Sequence, residues 1–286
     1  MQTVEELSNL LNLERLDANL FRGNNYQTPW GIVFGGQVLA QSLNAARRTV
    51  PEDRCVHSMH AYFILPGDLS LPIIYDVERI RDGGSFTTRR VVAIQKGRPI
   101  FNMAASFQLE QEGLDHQITM PNVPPPEALL TDKELAETWK KEAPDAYRRY
   151  QAPRPIEFRP VEQFHPLDKV SQPPFRHVWM RATGSMLDLK ALHCEALAYA
   201  SDYNLLGTSV LPHRDIVEPN ELQYASIDHA MWFHRDFRMD DWLLYALDSP
   251  SASGTRGFNR GSIFTKEGKL VASVVQEGLI RKRRKK

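Results

Sequence analysis

The chain has 286 residues, of which 42% are hydrophobic and 24% charged, and its 35 basic side chains balance 35 acidic ones. This composition is typical of globular proteins and excludes collagen-like repeats, low-complexity disorder and disulfide scaffolds. The longest purely apolar run covers six residues, 242–247, whereas a membrane-spanning helix needs about 20, so we expect no stable membrane insertion.

The first 110 residues contain the patterns of two helices followed by strands. Thr3 and Glu6 have the spacing of a capping box, which predicts a helix at the start of the chain. A second helix is predicted over residues 37–47. Alternation of polar and apolar residues predicts antiparallel strands over residues 87–95 and 101–109.

Proline marks a boundary in the middle of the chain. Eleven of the 19 prolines lie within residues 121–174. Proline lacks the amide donor that helices and central strands need, so this stretch cannot form a continuous sheet. We predict a long linker that contains one short helix, over residues 131–139.

The last third of the chain again contains a helix followed by strands. A long helix is predicted over residues 185–204, with Ser185 and Asp188 spaced like a capping box. Its apolar residues form one stripe, and Asp202 lies near its end on roughly the opposite side. A strand is predicted over residues 242–247.

Similar landmarks in the two halves indicate an internal duplication. HAYFIL around Phe63 corresponds to HAMWFH around Phe233, and a glycine turn follows 34 or 35 residues later, at Gly97 and Gly268. One helix with several antiparallel strands, present twice, predicts an α+β fold in which each sheet wraps its own helix and the edge strands pair side by side. The expected units are an N-terminal domain (residues 1–115), the linker (residues 116–175) and a C-terminal domain (residues 176–286).

Three polar residues interrupt the apolar pattern of the second half. Gln276 lies in a strand of apolar residues, where an amide needs a hydrogen-bond partner. Ser226 lies at the start of a strand, and Asp202 lies off the helix stripe. A structural amide, a strand cap and a solvated carboxylate remain the alternatives. The positions equivalent to Gln276 and Ser226 in the first half are apolar, Ala105 and Val56, which favours one working site.

Several enzyme signatures are missing from the sequence. GxSxG, HExxH, paired CxxC, GxGxxG and the P-loop pattern do not occur, so a serine nucleophile, zinc and nucleotide cofactors have no support. We expect neither a metal nor a cofactor. The pair Gly35 and Gly36, ahead of a helix, permits close approach of the backbone to a ligand or, equally, to the sheet.

The basic C-terminus is expected to be a solvated tail. The last six residues, 281–286, are all basic, and the rest of the chain carries a net charge of −6. An acidic body argues against nucleic-acid binding, although contact of the tail with RNA or anionic lipid stays open. The chain shows no secretory signal and does not end in Ser-Lys-Leu, so a cytoplasmic location is expected.

Many segments in order, among them VFGGQVLAQSLNAA, YASDYNLL, ASIDHAMWFHRDF and LVASVVQEGLI, resemble the acyl-CoA thioesterase II family over nearly the whole chain. The resemblance implies a double hotdog fold, with two tandem hotdog domains, each an antiparallel sheet around a central helix. It also implies hydrolysis of fatty acyl-CoA to fatty acid and CoA. Homo-oligomers, dimers or tetramers, are expected from the same resemblance.

The resemblance places the family's catalytic residues on Asp202, Ser226 and Gln276. Ser226 stands where bacterial members carry threonine, and the swap keeps the hydroxyl. We expect Asp202 to accept a proton from the attacking water while Ser226 and Gln276 hold that water. Direct attack of Asp202 on the carbonyl, through an anhydride, is the alternative.

Binding of CoA requires cations for its phosphates. The expected substrate-binding residues are those beside the two equivalent turns and the glycine pair: Arg89, Arg90, Arg256, Arg260, Gly35 and Gly36.

Two other functions remain open. A hotdog enoyl-CoA hydratase would use an Asp/His pair, for which His193 and His229 are available, and a non-catalytic acyl-CoA-binding protein would bind without turnover.

Overall fold

The computed structural model describes residues 1–217 and 221–283. The α-helices are α1 (Val4–Leu11), α2 (Gly35–Arg47), α3 (Asp132–Thr138), α4 (Pro144–Tyr150) and α5 (Lys190–Ser201). The strands are β1 (Glu14–Arg15), β2 (Leu20–Gly23), β3 (Arg54–Phe63), β4 (Ile73–Asp82), β5 (Phe86–Gln95), β6 (Arg98–Leu109), β7 (Ile156–Pro160), β8 (Phe175–Ala182), β9 (Leu222–Ser226), β10 (Asp228–Phe233), β11 (Leu243–Ser253), β12 (Arg256–Thr265) and β13 (Leu270–Lys282). Short 3-10 helices cover Pro126–Ala128 and Leu206–His213. No helix in these ranges combines the length and the apolar character needed to cross a bilayer.

All the strands belong to one antiparallel sheet whose two halves repeat the same order. Counted outward from the centre, the first half runs β3, β6, β5, β4, β2 and the second runs β10, β13, β12, β11, β8. The halves join where β3 pairs with β10, with Met59 opposite Met231. The predicted duplication and the side-by-side pairing of edge strands are therefore confirmed.

The two long helices α2 and α5 pack against each other, and α2 also packs against strands β3 to β6. Every residue of α2 from Gly36 to Ala46 is buried, including several polar ones. Its Gln41 amide donates to the carbonyl oxygens of Leu10 and Asn24, and Tyr75 donates its hydroxyl to Gln41 Oε1. These hydrogen bonds replace the bonds to water that the polar groups lose when they are buried.

The start of α2 meets the end of α5 at very short distance. A Cβ atom on Gly36 would collide with the carbonyl oxygen of Tyr199, so only glycine fits there. At the other end of α2, Asn44 and Arg47 donate to the carboxylate of Glu195, at 3.0 and 2.7 Å. Gly36 therefore serves the packing of two helices, one from each half, whereas Gly35 also packs against Phe63 of β3 in its own sheet.

The predicted N-terminal helix and its capping box are confirmed, as Thr3 and Glu6 cap α1 reciprocally. The predicted start of the long C-terminal helix was wrong. Helix α5 begins at Lys190, after Leu189, and no side chain caps it. The carboxylate of Asp188 instead accepts a hydrogen bond from Arg238 at 2.7 Å, so it is not available as a cap.

The proline-rich segment contains more structure than the one helix predicted for it. It forms α3 and also α4, whose first residue is Pro144, a position where proline costs no hydrogen bond. It also forms β7, which pairs with β8 at one edge of the sheet. An edge strand tolerates Pro160 because one side of it needs no ladder partner.

The start of the basic C-terminus is ordered in the sheet, contrary to the expected solvated tail. Arg281 pairs with Gln223 and Lys282 with Leu222, at the end of the ladder between β13 and β9. The ladder continues past the last apolar residue because its hydrogen bonds come from the backbone. Residues 284–286 lie outside the described residues.

We expect Gly36→Ala to destabilise the protein by about 1–3 kcal/mol, because the added methyl group must push the two central helices apart. Urea unfolding measures this change. Gly84→Ala is the matched control: a Cβ there meets nothing within 4 Å, so its stability should stay equal or rise slightly. Equal urea concentrations at the unfolding midpoints of the two variants would contradict the close packing at Gly36.

Candidate active site

The structure brings Asp202, Ser226 and Gln276 into direct contact. Gln276 Nε2 donates to Asp202 Oδ1 at 2.8 Å, and the Ser226 hydroxyl donates to the same oxygen at 3.3 Å. Asp202 is the C-cap residue that follows α5, while Ser226 and Gln276 come from β9 and β13. Ser226 lies opposite Gly278, so its side chain shares a sheet face with Gln276, two residues away.

The position of Asp202 explains why it lies off the apolar stripe of its helix. It faces the N-terminus of α2, where the backbone N–H of Gly36 donates to its carboxylate. A Cβ atom on Gly35 would lie 2.6 Å from Asp202 Oδ2. The two glycines thus let a carboxylate of the second half reach the positive end of a helix of the first half.

The charge state of Asp202 is set by opposing effects. Burial raises the pKa of its carboxyl group above the ordinary value, and the hydrogen bonds from Gln276, Ser226 and Gly36 lower it. Burial is the largest of these effects. A carboxylate that is desolvated and yet held by neutral donors is a stronger base than one in water, which is a property of general bases.

His229, which the sequence offered only as the histidine of a hydratase, is a buried member of this site. Its ring is fully buried on β10, and burial lowers its pKa to about 3, so the ring is neutral at physiological pH. Ser201 donates its hydroxyl to the Ala198 carbonyl oxygen at 2.9 Å, so it accepts from His229 Nε2–H, 3.0 Å away. Nδ1 of the ring is then an acceptor.

That acceptor orients the side-chain amide of Gln276. Gln276 Nε2 lies 3.2 Å from His229 Nδ1 and 2.8 Å from Asp202 Oδ1, so both of its protons are used. The other amide atom, Oε1, is buried and has no hydrogen-bond partner among the described residues. It is therefore an acceptor that can bind a proton of a water molecule or a substrate.

One signal in the sequence could have identified His229. Inward-facing positions alternate along a strand, and His229 alternates with Met231, which is fully buried. A histidine at an inward position needs polar partners in the core.

Arg89, expected to bind CoA, is part of the core of the first half. Its side chain is fully buried, and its guanidinium donates to Thr49 Oγ1 at 2.9 Å and to Asp82 Oδ1 at 2.6 Å. Alternation along β5 turns Arg89 inward together with Thr87 and Val91. Its donors are used inside the protein and are not available to the phosphates of CoA.

The other three arginines lie on the outer surface, and each is about half exposed. The ion pairs that they form are Arg90 with Glu78, Arg256 with Glu277 and Arg260 with Asp248. No group of three or more potential metal ligands occurs within residues 1–217 and 221–283.

Both halves of the chain match families of known proteins. Residues 26–108 match the acyl-CoA thioesterase N-terminal domain, and residues 149–279 match the acyl-CoA thioesterase family. The chain is 44% identical to human acyl-coenzyme A thioesterase 8, over 96% of this chain and 88% of that protein. It is 40% identical to acyl-CoA thioesterase 2 of Haemophilus influenzae, over 97% and 98% of the two chains.

Solved structures agree with this relationship. The acyl-CoA thioesterase II TesB2 of Mycobacterium marinum is 43% identical, with a TM-score of 0.80 over 97% of this chain and 98% of that one. A hot dog fold protein of Alicyclobacillus acidocaldarius is 20% identical, with a TM-score of 0.78 over 98% and 99% of the two chains, and it supports the fold alone. With its repeated sheet order and two central helices, this chain has the expected double hotdog fold and belongs to the acyl-CoA thioesterase family.

Proposed function

We propose that this protein hydrolyses acyl-CoA thioesters to a carboxylic acid and CoA. The observation that supports this most is the buried contact of Asp202 with Gln276 and Ser226, next to the N-terminus of α2. The contact provides one base and two neutral groups, which suffice for a thioester because its thiolate leaves readily. A protein nucleophile is not needed.

In the proposed reaction Asp202 accepts a proton from a water molecule as the oxygen of that water bonds to the thioester carbonyl carbon. The carbon–sulfur bond then breaks, and the proton passes from Asp202 to the departing thiolate. A well-placed general base contributes about 10²–10⁴ in rate. Asp202 suits this role because burial weakens its hydration while its hydrogen bonds hold it in place.

Ser226 and Gln276 are proposed to hold the attacking water. The Ser226 hydroxyl lies against the carboxylate, and Gln276 Oε1 is a buried acceptor without a partner among the described side chains. The N-terminus of α2 adjoins the same carboxylate. Its partial positive charge is available to stabilise the oxyanion that forms on the carbonyl oxygen.

Two observations disfavour the hydratase alternative. Both ring nitrogens of His229 are occupied, by Ser201 and Gln276, so the ring has no free position for acid–base chemistry on a substrate. His193 is buried and accepts a hydrogen bond from the Met239 N–H at 3.0 Å, near the start of α5 rather than its end. Release of free thiol from acyl-CoA separates hydrolysis from hydration and from binding without turnover.

Location and assembly also belong to the proposal. Acyl-CoA thioesters are metabolites of the cell interior, and we place the protein in the cytoplasm with its substrate.

We further propose self-association through the outer face of the sheet. Large apolar side chains are exposed there, with Tyr62 at 59% and Ile80 at 51%.

We expect Asp202→Asn to lower kcat by about 10²–10⁴, because the amide cannot accept a proton from water. Thiol release from a panel of acyl-CoA substrates, from acetyl to stearoyl, measures this loss. Asp188→Asn, beyond the opposite end of α5, is the matched control and should keep the wild-type rate, because that carboxylate is exposed. Turnover of the Asp202 variant near the wild-type rate would refute the assignment.

The raised pKa of Asp202 predicts the pH dependence of kcat/KM. The base works only when deprotonated, so activity should fall on acidification at a higher pH than the ordinary aspartate value of about 3.9. Gln276→Leu removes a donor that lowers this pKa, so the acidic limb should move to still higher pH and kcat should fall. An acidic limb that stays in place would mean that Asp202 is not the titrating base.

His229 acts through Gln276 and is proposed as a positioning residue. We expect His229→Phe to lower kcat about tenfold with little change in KM, because the Gln276 amide loses the acceptor that orients it. The acidic limb should also shift to higher pH, which loss of packing alone would not cause. His229→Asn, which returns a polar partner to the Gln276 amide, should recover part of the rate. Loss of folded protein without a shift of the acidic limb would contradict the positioning role of His229.

A further inference from the structure

A cavity of about 680 Å³ lies between the proline-rich segment and the C-terminal half. One wall comes from α3 and α4, for example Leu135 and Tyr150, and the other from β8 and the 3-10 helix Leu206–His213, for example Val178. Its volume falls in the range of small-molecule sites, about 300–1,000 Å³. None of the proposed catalytic residues lines it.

Arg176 of β8 lines this cavity, and its side chain has no hydrogen-bond or ion-pair partner among the residues that the structure describes. Its Nε atom is buried and has no hydrogen bond, and no side chain in the described ranges forms an ion pair with its guanidinium. Burial lowers the pKa of this group. The residue is only partly exposed, and a partly desolvated guanidinium without a hydrogen-bond partner favours an anion that can accept from it.

The carboxylates around Arg176 already have other partners. Glu162 accepts from the ring and the backbone N–H of His177, at 2.8 and 2.6 Å. Asp132 is paired with Arg154. These two carboxylates are therefore used in holding the wall of the cavity.

A second arginine adds to the positive charge in the cavity. Arg214 donates to the main-chain carbonyl oxygens of His165 and Asp168, so these bonds fix it without neutralising it. Its charge acts on Arg176 across the cavity. Two guanidinium groups that share one cavity fit a phosphorylated ligand better than a neutral one.

The cavity reaches the neighbourhood of the catalytic contact. Tyr224 lines it and lies two residues before Ser226 on β9, so the two side chains share a face about 7 Å apart. Asn204, two residues after Asp202, also lines it. A ligand that extends from the cavity along β9 arrives at Ser226.

We propose that this cavity binds the phosphate groups of CoA through Arg176, assisted by Arg214, while the pantetheine arm runs past Tyr224 to place the thioester at Asp202. The proposal rests on the proposed thioesterase function. It assigns phosphate recognition to the interior beside the proline-rich segment and not to the exposed arginines beside the two turns.

The test compares two thioesters with one acyl chain, decanoyl-CoA and decanoyl-N-acetylcysteamine, which lacks phosphates. We expect Arg176→Met to raise KM for the CoA ester about tenfold or more, through loss of charge-assisted hydrogen bonds, and to leave kcat/KM for the phosphate-free ester within about twofold. Arg181→Met is the control. It lies on the same strand but pairs with Glu157 outside the cavity, and both esters should behave as with the unmodified protein.

Stability distinguishes phosphate binding from a structural role. Removal of an unpaired buried charge should leave the melting temperature of Arg176→Met unchanged or higher. A lower melting temperature together with equal losses on both esters would assign Arg176 to folding and overturn the proposal. Unchanged kinetics on decanoyl-CoA would also overturn it, while the thioesterase function would stand.

A binding measurement keeps the proposal separate from catalysis. By calorimetry, adenosine 3′,5′-bisphosphate, the nucleotide part of CoA, should bind the unmodified protein and Arg181→Met, and should bind Arg176→Met at least tenfold more weakly. Equal binding to all three proteins refutes the cavity site, as does inorganic phosphate with the same affinity as the nucleotide. If neither ester is hydrolysed, the thioesterase function fails, and this measurement alone decides the site.

Discussion

The contact between the end of α5 and the start of α2 is the constraint on which the site depends. Gly35 and Gly36 allow the two helices to approach until a Cβ atom would collide with Asp202 or with the Tyr199 carbonyl oxygen. This approach desolvates the carboxylate and at the same time gives it a backbone donor. Because these two positions are glycines, Asp202 can lie against the N-terminus of α2. The burial that raises its pKa and the Gly36 hydrogen bond that lowers it both result from this position.

Around this contact, buried polar groups form a chain in which each member fixes the next. Ser201 sets the tautomer of His229, the ring orients the Gln276 amide, and the amide donates to Asp202. Ser201, His229 and Gln276 are all neutral, so this series of hydrogen bonds adds no charge beside the Asp202 carboxylate. Among the described residues, Gln276 Oε1 is left without a hydrogen-bond partner and is the acceptor proposed to bind the attacking water.

Much of the fold followed from local patterns in the sequence. Repeated landmarks indicated the duplication, and alternation of polar and apolar residues predicted the strands that became β5 and β6. The structure also brings together Asp202, Ser226 and Gln276, which stood out because they interrupt apolar patterns. Arg89 lies beside a turn, where a contact with CoA was expected, but the alternation along β5 directs its side chain into the core.

Features that depend on distant contacts were not accessible from the sequence. Helix α5 begins at Lys190 without a side-chain cap, and Asp188 of the predicted capping box pairs instead with Arg238, 50 residues away. The strand in the proline-rich segment exists because β8 offers it an open edge. The position of Arg176 beside a cavity likewise depends on where the helices of that segment pack.

The register of the sheet has a consequence for how the two copies have come to differ. Along β3 and β6 the first copy places Met59 and Ala105, both almost fully buried, where the second copy places His229 and Gln276. An apolar pair contributes to stability, whereas a buried histidine and amide weaken a core unless every bond is made. The equivalent positions of the two halves thus have different uses: in the first half they add apolar contacts to the core, and in the second half they hold the polar side chains of the site at a cost in core stability.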